Sequence, residues 1–132
     1  MSKEKRVRVL IVDDHEPLRT AIRILLESRG EFDVCGEAED GAKAIEKSAA
    51  LKPDVVILNI VMPVMDGFEA ARKIRTVSPD SRVVVLSSHV DQQLLEQARN
   101  AGAVCYVPKS EAVRELIDAV RTAAEGESSA LL

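Results

Sequence analysis

Two adjacent carboxylates, a carboxamide, a pair of hydroxyls and an ammonium recur at the ends of short apolar runs in this chain. Asp13-Asp14 follows one run, Asn59 another, Ser87-Ser88 a third, and Lys109 a fourth. Brought together, these groups suit metal-assisted phosphoryl handling. Paired carboxylates hold Mg²⁺, which takes octahedral oxygen ligands and keeps several waters. A strand-end backbone carbonyl such as that of Val61 can add one more oxygen. The Ser87 hydroxyl can donate to a phosphoryl oxygen, and Lys109 can neutralise another as a point charge. The missing part is a nucleophile. Asn59 stands where a carboxylate is expected, and its amide oxygen is a far poorer nucleophile that leaves no ordinary acyl phosphate.

Each group taken alone has a plainer explanation. Asp13 and Asp14 could be acids drawn to a helix start by the macrodipole. Ser87 and Ser88 could be turn residues, Lys109 a solvated surface lysine, and Asn59 a loop amide bonded to backbone. His15 and His89 fall in adjoining loops and read as solvated side chains, not bases. What favours a joint function is the coincidence at four of five strand ends, where open α/β sheets build their sites.

The elements that must position these groups alternate strictly. Strands are expected at Val7 to Val12, Phe32 to Ala38, Val55 to Leu58, Arg82 to Leu86 and Val104 to Val107. The first helix is predicted from about Pro17 to Arg29, with Pro in its first turn, Gly30 past its end and a stripe of Leu18, Ile22, Leu25 and Leu26. The second runs from Gly41 to Leu51 with Ala42, Ala44, Ile45 and Ala49 as its packing face, and the third from Gly67 to Val77. Asp91 caps the fourth, which ends near Asn100-Ala101-Gly102. The last runs from Glu111 to about Glu125 with Val113, Leu116, Ile117 and Val120 as its stripe. Five strand–helix units imply an α/β fold: one doubly wound, five-stranded parallel sheet with five helices on its two faces and right-handed crossovers. Periodicity does not fix the strand order.

The 132 residues suffice for one domain with a real core. With aromatics at 2%, that core must be built from Val, Ile, Leu, Ala and Met. A formal charge of −4 argues against a generic nucleic-acid surface. Residues 1–6 read as a solvated lead-in, 7–125 as the domain and 126–132 as a frayed tail or linker stub. Cys35 and Cys105 are too few and too separated for a disulfide framework or zinc site and are expected to be reduced, buried thiols. No signal peptide or membrane-length apolar run is visible, so the expected location is the cytoplasm, with no membrane partner.

The residues resemble a family. Val9-Leu10-Ile11-Val12-Asp13-Asp14-His15, Met62-Pro63-Val64-Met65-Asp66-Gly67, Val84-Val85-Leu86-Ser87-Ser88, and Ala101-Gly102-Ala103 followed by Tyr106-Val107-Pro108-Lys109 are together similar to the receiver domain of two-component response regulators, over about Val7 to Glu125. The resemblance implies a flavodoxin-like receiver fold and a set of roles. Asp13 and Asp14 match the acidic Mg²⁺ pair, Ser87 the switch hydroxyl, Tyr106 the aromatic rotamer switch and Lys109 the phosphate-binding lysine. Asn59 takes the place of the phosphoacceptor aspartate. Pro108 precedes Lys109, whereas the family's cis peptide commonly follows the lysine and precedes a proline. A cis Lys109–Ser110 bond would cost about 3 kcal/mol.

The resemblance further implies phosphorelay signalling without enzymatic turnover. The partners would be a histidine kinase or phosphotransfer protein and an output domain or homodimer partner, with transcription a candidate output, and this chain would make no direct nucleic-acid contact. Docking is expected on the first helix and on the surface of the fourth helix, fifth strand and fifth helix. With Asn59 the chain is either a pseudo-receiver or an engineered Asp-to-Asn variant. Its Mg²⁺ binding should be weakened, and it should rest mostly in the inactive ensemble. Ile60 follows Asn59, so rapid deamidation is not expected. Two other functions compete. An aspartate-nucleophile phosphatase-like enzyme would want Asp-x-Asp after the first strand. A flavodoxin-type nucleotide-binding domain would want a Gly-rich phosphate loop and more aromatics.

Overall fold

Val, Ile and Leu fill the middle of the first, third and fourth predicted strands, and the structure pairs all five strands into a single sheet. The computed structural model describes residues 5–62 and 65–126. Most of the lead-in (residues 1–4), the centre of the Met-Pro loop (Pro63 and Val64) and the tail beyond Gly126 lie outside the described residues. The elements are β1 (Val7–Val12), α1 (Glu16–Glu27), β2 (Phe32–Ala38), α2 (Gly41–Leu51), β3 (Val55–Asn59), α3 (Gly67–Val77), β4 (Arg82–Ser87), α4 (Gln92–Asn100), β5 (Ala103–Pro108) and α5 (Ala112–Ala124). All pairings are parallel, in the order β2-β1-β3-β4-β5. The chain steps from β1 outward to β2 and then back across to β3. That reversal opens a crevice beyond the carboxyl ends of β1 and β3.

Alternation along each strand splits the core into two layers. Val9, Ile11, Val55, Ile57, Val84, Leu86, Cys105 and Val107 pack with α1 and α5. Leu10, Val12, Val56, Leu58, Val83, Val85 and Tyr106 pack with α2, α3 and α4. A sheet buried on both faces explains the nearly unbroken apolar runs.

Three helices start on an aspartate that accepts a backbone N–H of the first turn: Asp40 from Lys43, Asp66 from Glu69, and Asp91, as predicted, from Leu94. Each such cap supplies a partner for one of the orphan donors of a helix start. Gly102, at φ 98°, closes α4 in a left-handed conformation that L side chains rarely adopt.

Several expectations need correction. Helix α1 stops at Glu27 with Ser28 as its right-handed cap, so Gly30 has no capping role. A 3₁₀ turn, Lys109–Glu111, precedes α5, which starts at Ala112. Val113 is 80% exposed, and the buried face of α5 is Leu116, Ile117, Ala119, Val120 and Ala123. A helical stripe fixes direction but not how far the neighbouring layer reaches. In α2 the buried residues are Gly41, Ala44 and Ser48, while Ala42 and Ala49 are exposed. A methyl group on Gly41 would lie 3.1 Å from Met65 and 3.3 Å from Ala70, so the smallest residues face the neighbouring helix. Cys105 is buried as expected, but Cys35 is only half-buried. Burial pushes the Cys35 thiol upward in pKa. Among the described residues no peptide bond is cis, which leaves Lys109–Ser110 trans.

Candidate functional site at the carboxyl edge of the sheet

Strand register brings the predicted groups to one rim. Val12 pairs with Leu58, so Asp13 and Asn59 are the next residues out on adjacent strands. Asn59 pairs with Leu86, which sets Ser87 one step beyond. Ser87 pairs with Pro108, which sets Lys109 one step beyond again. Asp13, Asp14, His15, Asn59, Val61, Ser88, His89 and Lys109 line one cavity of about 260 Å³.

Asp13 is 1% exposed. Its Oδ1 accepts the His15 backbone N–H at 2.9 Å. Its Oδ2 is buried without a hydrogen-bond donor and faces the Lys109 ammonium at 3.3 Å, an ion pair lacking hydrogen-bond geometry. Asp14 is exposed at the mouth. Asn59 is 5% exposed, and its Nδ2 donates to the Val61 carbonyl at 2.8 Å and, more weakly, to Asp14 Oδ1 at 3.4 Å. His15 and His89 are exposed, as expected for solvated side chains, although both border the cavity.

Gly67 allows the crevice to exist. Its N–H donates to the Ile60 carbonyl at 2.8 Å. A Cβ there would lie 2.4 Å from Ile60 Cα and 2.7 Å from the Asn59 carbonyl oxygen. Only glycine lets α3 begin this close to the end of β3.

Ser87 and Tyr106 sit one layer down. Ser87 is buried, and its Oγ accepts the His89 N–H at 3.2 Å; Ser88, not Ser87, reaches the cavity wall. Tyr106 is fully buried and donates its hydroxyl to the His89 carbonyl at 2.6 Å. Burial pushes its phenol above the usual range, the Ser87 hydroxyl opposes this, and the Asp91 carboxylate adds to it. The ring fills the space beside α4, and its hydroxyl finds an acceptor there.

A charged brace behind the site was not anticipated. Arg19 donates from Nη1 to the Asp13 carbonyl at 2.7 Å and from Nε to Glu37 Oε1 at 2.8 Å. Arg23 holds Glu37 Oε2 at 2.6 Å, and Lys47 donates to the Glu37 carbonyl at 2.5 Å. Burial opposes the Glu37 charge, but hydrogen bonds and charge from Arg23 and Arg19 outweigh it and hold the carboxyl below its usual range. The available signal was two arginines one helical turn apart, facing an acid near the carboxyl end of an adjacent strand.

The donor set fits a hard divalent cation: two carboxylates, a main-chain carbonyl and an amide oxygen, with one buried carboxylate oxygen left without a donor. It carries less charge than a three-acid site. Among the described residues there is no cluster of three or more His, Cys, Asp or Glu that could hold a metal.

Comparison with known proteins bears on the family and the fold. Residues 9–121 match the family described as response regulator receiver domain. The transcriptional regulatory protein LiaR of Bacillus subtilis is 37% identical over 121 residues, covering 92% of this chain and 57% of that protein. The response regulator VraR of Staphylococcus aureus is 36% identical, covering 92% and 58%. The chain thus spans a little over half the length of these curated relatives. The receiver domain structure of the response regulator NarL from Mycobacterium tuberculosis superposes with a TM-score of 0.89 at 35% identity, covering 94% of this chain and all of that one.

Proposed function

The chain belongs to the response regulator receiver family and is a receiver domain of two-component signalling; we propose that its ordinary aspartyl phosphorylation is blocked at Asn59. The observation that carries this is the buried carboxamide in the cavity shared with Asp13, Asp14 and Lys109. A carboxylate there attacks phosphorus with an anionic oxygen while the donor's leaving oxygen departs. The carboxamide has no anionic oxygen. Attack through Oδ1 would give a phosphorylated imidate and would require loss of an N–H proton.

Asp13, Asp14, the Asn59 Oδ1 and the Val61 carbonyl would hold Mg²⁺, more weakly than a three-acid site. The metal supplies charge neutralisation at phosphoryl oxygens. Lys109 serves as the phosphate-facing cation, Ser87 as the switch hydroxyl, and Tyr106 as the aromatic switch that reads it. The domain acts in the cytoplasm as a signalling module and not as an enzyme. It docks a histidine kinase or phosphotransfer protein through α1 and reaches an output domain or a second copy through α4, β5 and α5. Exposed apolar side chains on α1 and α5, Ile24 and Val113, support such docking. The output is transcriptional in the relative named as a transcriptional regulatory protein, and we extend that output to the protein carrying this domain.

The test is intact-mass analysis after incubation with a small acyl-phosphate donor and Mg²⁺. The parent chain should keep its mass and Asn59→Asp should gain one phosphoryl group. Stoichiometric phosphorylation of the parent would overturn the block.

A further inference from the structure

Asn59 does more than omit a charge. Its Nδ2 carries two N–H donors, and the two oxygens it meets are the Val61 carbonyl at 2.8 Å and Asp14 Oδ1 at 3.4 Å. Those are oxygens a divalent ion in this cavity would take. We propose that the Asn59 carboxamide is a built-in occupant of the cation position, holding Val61 and Asp14 together itself and competing with Mg²⁺ for them. The inference rests on the cavity being a cation site, but not on the block to phosphorylation.

The orientation of the amide follows from its surroundings. At 5% exposure the group must find partners inside the protein. Turning it over would set Oδ1 against a carbonyl and a carboxylate, three acceptors with no proton among them. On the other side of the cavity, Asp13 Oδ1 accepts the His15 N–H, and Oδ2 has only the Lys109 ammonium nearby, as an ion pair at 3.3 Å. The pocket's oxygens are therefore met from within by an amide, a backbone N–H and one ammonium, which offsets one of the two carboxylate charges.

Metal entry then carries a cost beyond the missing negative charge. The amide must rotate to offer Oδ1, and its hydrogen bond to Val61 is lost. Alanine at position 59 has no such bond to break. It also offers no ligand, but Mg²⁺ readily keeps water in place of a protein oxygen. Competition thus predicts tighter Mg²⁺ binding to Asn59→Ala than to the parent. Simple loss of a ligand predicts the reverse.

The experiment is a Mg²⁺ titration of the full chain, Asn59→Ala and Asn59→Asp, followed by backbone and side-chain amide NMR. The expected affinity order is aspartate, then alanine, then the parent. Alanine should bind about three- to tenfold tighter than the parent, the net worth of roughly one hydrogen bond. In the parent, the Asn59 side-chain NH₂ signals should move with the same midpoint as the Val61 and Asp14 backbone signals. Equal or weaker binding by alanine overturns the proposal, as do NH₂ signals unmoved at Mg²⁺ saturation. The parent's own carboxamide signals decide the matter if the alanine variant does not fold. An aspartate variant that binds Mg²⁺ yet takes no phosphoryl group would contradict the proposed function and leave this inference standing. An aspartate variant that binds no Mg²⁺ would remove the cation site itself and the inference with it.

Discussion

Tyr106 and His89 are joined by a 2.6 Å hydrogen bond from the tyrosine hydroxyl to the histidine carbonyl, so β5 holds the loop that leads from β4 into α4. The same histidine donates its N–H to Ser87. Tyr106→Phe keeps the ring and removes one bond to a backbone acceptor. It should cost about 1 kcal/mol in urea unfolding and speed hydrogen exchange at His89 and its loop neighbours. An unchanged exchange rate would mean that the loop is held by Ser87 alone.

The Tyr106 phenol titrates above its ordinary range because it is buried. The folded state keeps the proton longer than the unfolded chain does. Stability from this group is therefore fully present below the unfolded value of about 10 and is lost as pH rises through the folded value. The chain has a single tyrosine, so ultraviolet titration reads it directly. Its midpoint should lie above that of free tyrosine and fall to the free value in denaturant.

Glu37 has the opposite sign. Its folded carboxyl is held low by Arg23 and Arg19 against the penalty of burial. The stabilisation is present above the unfolded value of about 4.3 and is lost as pH falls through the folded value. Glu37→Gln should destabilise the domain by roughly 1 to 2 kcal/mol at neutral pH, and the difference should shrink toward zero in acid. Paired urea melts across the acid range would show a constant difference if the brace contributed through shape alone.

Gly67→Ala tests the close approach at the end of β3. A methyl group cannot sit 2.4 Å from Ile60 Cα, so the start of α3 must shift. A loss of about 1 to 3 kcal/mol is expected, with chemical-shift changes centred on Asn59 and Ile60. A neutral substitution would contradict the packing described for the crevice.

Much of the site was legible because strand ends in a parallel sheet share one edge, and register then fixes which residues are neighbours. Asp13, Asn59 and Lys109 needed only the strands to be placed correctly. The Arg19–Glu37 brace was harder to read, because long side chains from a helix and an edge strand meet only once strand order is known, and periodicity is silent on order. The faces of α2 and α5 were misread for a related reason. Residue type marked Ala42, Ala49 and Val113 as apolar, but exposure depends on where the neighbouring layer stops. The Asn59–Val61 contact lies beyond any sequence pattern, since it depends on which end of a carboxamide faces inward.

Asn59→Asp should lower stability in chelator. A carboxylate would face the Val61 carbonyl and Asp14 in place of an N–H donor. The parent should be more stable by roughly 1 kcal/mol, and Mg²⁺ should close the gap. Equal stability of the two chains in chelator would count against crowding at this rim.

The most direct measurement is ¹⁹F NMR of the parent and Asn59→Asp with fluoroberyllate and Mg²⁺, because trifluoroberyllate bonds to a carboxylate oxygen and to no amide. Protein-bound fluorine signals should be absent for the parent and present for Asn59→Asp, showing that one atom completes an otherwise intact pocket. Bound signals on the parent, or none on a folded Asn59→Asp chain, would contradict it.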